Sequence, residues 1–359
     1  VTGSGKTELY LQAIERVVEN GKSALVMVPE IALTPQTVHR FKGRFSRMDT
    51  EVAVLHSNLS QGERFDEWRK IRDGRARIAV GPRSAVFAPL RDLGIIVVDE
   101  EHEPSYKQDV SPRYNARDIA VVRSRIENCA IVLGSATPCL ESWQNVECGK
   151  YEVAQLPERI DDRELPIIRI IDMRREHRKA GAGPAILSER LRKAIDQRLE
   201  GGEQTILFLN RRGFANSLVC PACGYVCECS HCSVSLTFHR SVDRLICHVC
   251  GFQRMGPRKC PECNDPAIRM SGYGTERAEE VFRAVYPDAR IARVDADTMK
   301  RKNQLRETLD AFKRQKIDIL IGTQMIAKGL HFPNVTLVGV IFADVTLHMP
   351  DFRAGERTF

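Results

Sequence analysis

Three groups of residues in this sequence have types and spacings that can do chemistry. The first is Gly3-Ser4-Gly5-Lys6-Thr7, the latter part of the pattern G-x-x-x-x-G-K-[ST]. Such a loop places successive backbone N–H groups around phosphates, a Lys on the terminal ones and a hydroxyl on Mg²⁺. Gly3, Ser4 and Gly5 supply the cradle and Lys6 and Thr7 the last two roles, so ATP and Mg²⁺ are the expected cofactors. The pattern's first Gly would stand one residue before Val1, so the strand leading into the loop is expected to precede the sequence. The second group is Asp99-Glu100-Glu101-His102. An acid at a strand end can hold the Mg²⁺ that bridges nucleotide phosphates, and its neighbour can orient or deprotonate the attacking water. Asp99 and Glu100 are the candidates, with His102 beside them.

The third group is four C-x-x-C pairs within residues 220–263: Cys220/Cys223, Cys229/Cys232, Cys247/Cys250 and Cys260/Cys263. A tetrahedral Zn²⁺ takes two such knuckles, so two Zn²⁺ are expected. Spacing alone permits sequential or nested pairing. Cys227 is an odd thiol in this stretch, and His231 and His248 lie inside knuckles as possible substitute ligands. Cys129, Cys139 and Cys148 are isolated and read as small core residues. With few apolar residues, the stretch is expected to need metal for its fold.

These residues require elements that hold them. A helix over 7–19 carries Leu11, Ile14 and Val18 on one face. Apolar runs at 24–28, 52–55, 78–80, 95–98 and 130–133 alternate with helical patterns at 33–45, 61–73 and 116–126. Near-continuous apolar strands alternating with helices indicate a parallel sheet covered on both faces, with ligands outside the strands' carboxyl ends. A second such series follows: a helix capped by Ser188 and stopped at Gly201, strands at 205–209, 268–271, 290–294, 317–321 and 335–341, and helices at 275–285 and 303–314. Between the two, residues 151–184 are charged and punctuated by Pro, around a strand-like run Ile167–Ile171. The basic turn 210–216, with Arg211, suits phosphate contacts.

The sequence of 359 residues is long enough for two to three domains. It has no apolar window of membrane-spanning length and does not open like a signal peptide, which favours a cytosolic setting in which 12 cysteines suggest metal more than disulfides. The net charge of +7 is modest, and thiolate ligation of zinc would lower it further. Nucleic-acid binding must therefore be argued from local chemistry.

In this order, G-S-G-K-T, D-E-E-H and Gly134-Ser135-Ala136-Thr137-Pro138 resemble the nucleotide-binding lobe of a superfamily 2 helicase. The segments from Val28 to Thr34, from Gly81 to Phe87 and from Glu103 to Gln108 narrow the resemblance to the primosomal replication-restart helicases. That resemblance implies two RecA-like parallel-sheet lobes, with a small two-zinc cysteine-rich insertion in the second. The expected division is lobe 1 at 1–150, a linker at 151–187, lobe 2 at 188–219 and 264–359, and the insertion at 220–263. It implies nested pairing, Cys220, Cys223, Cys260 and Cys263 on one zinc and Cys229, Cys232, Cys247 and Cys250 on the other. It also implies DNA contacts at Arg83, Ser84, Tyr106, Lys107, Tyr114, Arg211 and Thr323.

By the same resemblance the chain is the motor core of an ATP-dependent 3′-to-5′ DNA helicase in replication restart. Its partners would be single-stranded and forked DNA, primosome and helicase-loading proteins and single-strand-binding protein, in bacterial cytoplasm at the nucleoid. A double-strand translocase, a non-catalytic zinc adaptor and a metabolic P-loop kinase are the other classes. The family's last motif, Q-x-x-G-R-x-G-R, would follow Phe359, so the 359 residues alone are expected to be nearly inactive as an ATPase.

Overall fold

The computed structural model describes residues 3–29, 35–46, 48, 50–57, 59–160, 166–180, 186–209, 218–232, 234–239, 242–266, 268–270, 275–295, 298–299, 304–323, 326, 332–344, 347, 351 and 353–358. Its contacts divide it into two compact units, Val1–Ile167 and Ile168–Phe359.

In the first unit five parallel strands form one sheet: β1 (Ser23–Met27), β2 (Glu51–Val54), β3 (Ala76–Gly81), β4 (Leu93–Asp99) and β7 (Ala130–Gly134), in the order β2-β3-β1-β4-β7. Side chains alternate across a strand, and both faces here are apolar. Leu25, Met27, Ala79, Ile96 and Val98 fill one face with Tyr106 and Ala120. Ala24, Val26, Ile78, Val80, Ile95 and Val97 fill the other, under Leu11, Ile14 and Val18 of α1 (Lys6–Glu19) and Phe41 and Phe45 of α2 (Pro35–Phe45). Helix α3 (Gln61–Arg72) starts in a capping box of Ser60 and Glu63. Helix α4 (Ala116–Ile126) starts on the Asn115 side chain, which accepts from Arg117 N. Between β4 and α4 lies a two-residue ribbon, β5 (Lys107–Gln108) against β6 (Tyr114–Asn115). After β7 comes α5 (Leu140–Glu147).

The second unit opens with α6 (Met173–Ala180) and α7 (Glu189–Glu200), the latter capped by Ser188, whose hydroxyl accepts from Leu191 N. Its four-stranded parallel sheet runs β14 (Ile291–Val294), β15 (Ile319–Gly322), β8 (Gln204–Leu209), β16 (Val335–Ile341). Ile195, Leu207, Phe282, Ile319 and Ile321 pack one side of it, with α8 (Thr275–Val285). Val294, Phe312 and Leu320 pack the other, with α9 (Gln304–Lys313). The last helix is α10 (Ala354–Thr358). Among the described residues no helix is long and apolar enough to cross a membrane.

The cysteine-rich stretch has its own small sheet, β10 (Thr237–His239), β11 (Arg244–Ile246) and β12 (Gln253–Met255), all antiparallel. Its two ends meet in a second ribbon, β9 (Leu218–Val219) against β13 (Arg269–Met270). This corrects the reading of 268–271 as a strand of the second parallel sheet. Among the described residues of this run Arg269 and Met270 pair, antiparallel, and they close the neck of the stretch. The run Ile167–Ile171 pairs with no strand among the described residues, and Ile167, Ile168 and Ile170 stay 82%, 84% and 97% exposed. Of the three isolated cysteines only Cys139 is buried; Cys129 is half-buried and Cys148 exposed.

Candidate nucleotide site and cysteine centres

The loop before α1 is shaped by two left-handed glycines, Gly3 at φ 83° and Gly5 at φ 86°. A side chain is strained at such an angle. A Cβ on Gly5 would also lie 2.9 Å from Ile160 Cδ1. Gly5 caps α1 with no side-chain hydrogen bond, which suits first-turn N–H groups to an anion. Ser4 Oγ is buried and takes no hydrogen bond among the described residues. A buried hydroxyl without a partner costs free energy, and a phosphate oxygen would supply one. The loop therefore fits a nucleotide's phosphates.

Strand β4 ends at Asp99, and the chain turns at once, with Glu100 at φ 49°. The turn brings Glu100 Oε1 to 3.5 Å from Lys6 Nζ and Glu100 Oε2 to 3.6 Å from His102 Nδ1. His102 Nδ1 lies 2.7 Å from Ser135 Oγ, and Ser135 Oγ accepts from Thr137 N at 2.9 Å. Thus Lys6, Asp99, Glu100 and His102 stand together where β4, β7 and α1 converge. Burial raises the Asp99 carboxyl above the usual carboxylate range, as does the Glu100 charge, against the pull of Lys6.

Sequence reasoning passed over two members of this neighbourhood. Tyr10, on the buried face of α1, donates its hydroxyl to Asp99 Oδ1 at 3.2 Å. Glu101 has a side chain 1% exposed and accepts from Cys139 N at 2.8 Å, Ser142 Oγ at 2.9 Å and Arg117 Nη1 at 3.3 Å. It ties the acidic turn to α4 and to the start of α5. Four acidic or titratable residues in a row do not reveal which one turns inward; only the buried partners do. Glu101→Gln should destabilise the first unit by about 3 kcal/mol, because it removes the buried carboxylate that Arg117, Ser142 and Cys139 N close around and leaves Arg117 only Asp118, whose side chain is 62% exposed. The exposed pair Arg44–Glu15, at 2.8 Å with side chains 37% and 33% exposed, should cost about 0–1 kcal/mol on Glu15→Gln. Urea unfolding of the two variants measures the contrast.

The candidate DNA-contact residues divide. Arg83 Nη1 donates to Lys107 O at 2.9 Å, Ser84 is exposed, and the Lys107 side chain is 66% exposed beside Asp109. Phe87, 58% exposed, meets Tyr114 edge to face at 5.3 Å, so this corner offers aromatic rings beside cations. Tyr106 does not belong with them. It is 1% exposed, and its hydroxyl donates to the Asp99 carbonyl at 2.7 Å. A 3-10 turn from Pro104 to Tyr106 swings the ring into the core, where no base can stack on it. Thr323 follows β15, half-buried, its N–H donating to Val294 O at 3.4 Å. Arg211 lies outside the described residues.

The cysteine sulfurs gather as two groups of four, Cys220, Cys223, Cys260 and Cys263, and Cys229, Cys232, Cys247 and Cys250, with the sulfurs of each group within 4.8 Å of one another. This is the nested arrangement. Cys220–Cys263, Cys223–Cys260 and Cys229–Cys250 sulfurs stand 3.6, 3.5 and 3.6 Å apart. A tetrahedron with Zn–S bonds of about 2.3 Å has edges of about 3.8 Å, so both groups fit zinc. All four knuckles share a backbone turn: the N–H groups of Cys220, Cys229, Cys247 and Cys260 donate to the carbonyls of Tyr225, Val234, Phe252 and Asp265 at 2.8–2.9 Å.

The thiols within a group are held unequally. Backbone N–H groups, Cys250 foremost, bring Cys247 down to about 7. Burial pushes Cys260 up, but the N–H groups of Cys263 and Glu262 outweigh it and leave that thiol at about 7. Burial pushes Cys220 up to about 12, and the Cys250 thiol does the same for Cys232. Thiols this close release protons in turn, and a divalent cation would hold all four as thiolates. Cys227 joins neither group. It is fully buried in the small core with Leu218, Leu236 and Leu245. His231 packs against Phe252, and His248 Nε2 lies 3.1 Å from His239 Nε2.

Comparison with known proteins gives the same parts in the same order. The DEAD/DEAH box helicase family matches residues 1–146, the PriA DNA helicase Cys-rich region domain matches 229–254, and the helicase conserved C-terminal domain matches 268–351. The chain is similar to the replication restart protein PriA of Bacillus subtilis, 52% identical over 100% of this chain and 44% of that relative. It is similar to the PriA of Haemophilus influenzae, 46% identical over 99% of this chain and 48% of that relative. To the PriA of Treponema pallidum it is 45% identical, over 100% of this chain and 53% of that relative. The chain thus spans about half the length of these relatives. Among solved structures it resembles the Pyrococcus furiosus Hef helicase domain, at 13% identity and a TM-score of 0.44 over 94% of this chain and 84% of that one. It also resembles RecG bound to a three-way DNA junction, at 16% identity and a TM-score of 0.45 over 94% of this chain and 34% of that one.

Proposed function

The chain belongs to the PriA replication-restart helicase family, and from that premise we propose that it is the motor core of an ATP-dependent DNA helicase acting at stalled forks. The supporting observation is the Lys6–Glu100 contact at 3.5 Å, which joins the phosphate loop to the acidic turn. In this reading Gly3, Ser4, Gly5, Lys6 and Thr7 hold the phosphates of ATP, and Asp99 holds Mg²⁺. The bound ion supplies neutralisation of charge on the phosphates. Lys6 must leave Glu100 to reach a phosphate, so arrival of nucleotide frees Glu100 to orient water. His102, between Glu100 and Ser135, carries that change to the turn after β7.

We read 1–150 and 188–219 with 264–359 as the two lobes, joined by 151–187, with 220–263 as the zinc-bearing insertion. Exposed Phe87 and half-buried Tyr114 beside Arg83 and Lys107 suit a single strand, whose bases stack on rings while cations meet its phosphates. Contacts to the strand's backbone read no sequence, so fork structure would be what is recognised. Primosome and helicase-loading proteins, and single-strand-binding protein, would be the partners, at the bacterial nucleoid.

The full-length protein, given Mg-ATP and duplexes with a single-stranded tail, should displace the strand when the tail ends 3′ and not when it ends 5′. Displacement from 5′ tails alone would reverse the direction. Movement along duplex DNA with no displacement would make it a translocase.

A further inference from the structure

We propose that Tyr10 is a positioning residue whose phenol holds the Asp99 carboxylate in place for the magnesium of bound nucleotide. The inference rests on the reading of the nucleotide site given above. Tyr10 lies one helical turn beyond Thr7, so the two share a face of α1, and Thr7 is the hydroxyl expected to meet the same ion. The ring is 6% exposed and packs in the core beneath α1. For packing alone a phenylalanine would serve. The hydroxyl adds a polar atom that must be matched where water is scarce, and its partner is Asp99 Oδ1, at 3.2 Å.

Gly134 supplies a second, independent sign that the hydroxyl's place is built. A Cβ on Gly134 would fall 1.6 Å from the Tyr10 oxygen. The glycine that opens Gly134-Ser135-Ala136-Thr137-Pro138 therefore leaves the room that the phenol occupies. One hydroxyl thus stands at the junction of α1, the end of β4 and the end of β7. A carboxylate with one oxygen pinned by a buried donor is stopped from turning. Tyr106 donates to the Asp99 carbonyl at 2.7 Å, on the main chain and not on the carboxylate. The two phenols differ in what they touch: Tyr10 meets the carboxylate and Tyr106 the main chain.

The test is a titration of the full-length protein with a fluorescent N-methylanthraniloyl derivative of ATP, in magnesium-free buffer without chelator and then with rising Mg²⁺. In the magnesium-free arm the loop and Lys6 carry the affinity, and Tyr10→Phe should equal the parent. In the other arm Tyr10→Phe should need about tenfold more Mg²⁺ for half-maximal binding, the scale of one hydrogen bond to a charged group. Tyr106→Phe removes a comparable buried hydroxyl from the same residue's carbonyl and should leave the Mg²⁺ requirement where it is. An unchanged Mg²⁺ requirement in Tyr10→Phe overturns the inference. So does an equal loss in both arms, which would make the phenol a packing group. If the parent protein shows no Mg²⁺-dependent binding, or Lys6→Ala binds as the parent does, the nucleotide-site reading fails instead.

Discussion

Replacing Cys260 by serine should remove one of two zinc ions per chain and unfold the outer ends of the cysteine-rich stretch, leaving the inner group of four cysteines and the parallel sheets of both units standing. The reason is how little else holds that stretch. Its buried core is Leu218, Leu236 and Leu245 with the sulfurs of Cys227, Cys229 and Cys247, and its strands are three residues or shorter. So small a core cannot offset the conformational entropy of ordering about fifty residues. Structural zinc contributes about 10–16 kcal/mol in small zinc-bound domains, far more than any other single term available here. Metal analysis should give two zinc ions for the parent and one for Cys260→Ser, with new protease cuts confined to 218–270. Cys229→Ser should remove the other ion and spare the first group, as the nested arrangement requires. Cys227→Ser should keep both ions, because its sulfur belongs to neither group of four. Because ligand thiolates must shed their protons, zinc should be lost on acidification and regained as the pH returns.

Lys6→Ala and Glu100→Gln should each lower ATP turnover of the full-length protein by about a hundred- to a thousandfold, the scale of removing one group that acts on developing charge. They should differ in binding. Lys6→Ala removes a cation from the phosphates and weakens the nucleotide. Glu100→Gln removes the group proposed to orient water and also the 3.5 Å contact with Lys6, so nucleotide should bind at least as tightly as before and persist unhydrolysed. Binding of the fluorescent nucleotide beside phosphate release separates the two. Equal weakening of binding by both variants would mean that Glu100 serves only as a partner for Lys6.

Much of this was legible in the residues themselves. Strands such as Leu25–Met27 and Ile95–Val98 read as apolar runs because both faces of the sheet are covered, and α1 announced itself by Leu11, Ile14 and Val18. The acids at the end of β4 were marked because ligands gather beyond the carboxyl ends of parallel strands. What escaped depends on direction. An aromatic after an acidic turn looks the same whether it faces a nucleic acid or the core, and Tyr106 turns in because Pro104 starts a tight 3-10 turn. Glu101 is one acid among three until Arg117, Cys139 and Ser142 close around it from elsewhere in the chain. Tyr10 extends an apolar stripe, and only Gly134, 124 positions away, shows that its hydroxyl has a place reserved. The strand-like residues 268–271 and Ile167–Ile171 carry local β preference, but a strand needs a partner in register, which no local pattern supplies.

The measurement that bears most directly on the motor reading is strand displacement from a forked duplex by the full-length protein under Mg-ATP, run beside its Lys6→Ala variant at matched DNA occupancy. The parent should displace the strand and the variant should not, although both bind the fork. Displacement by Lys6→Ala at the parent's rate would contradict it.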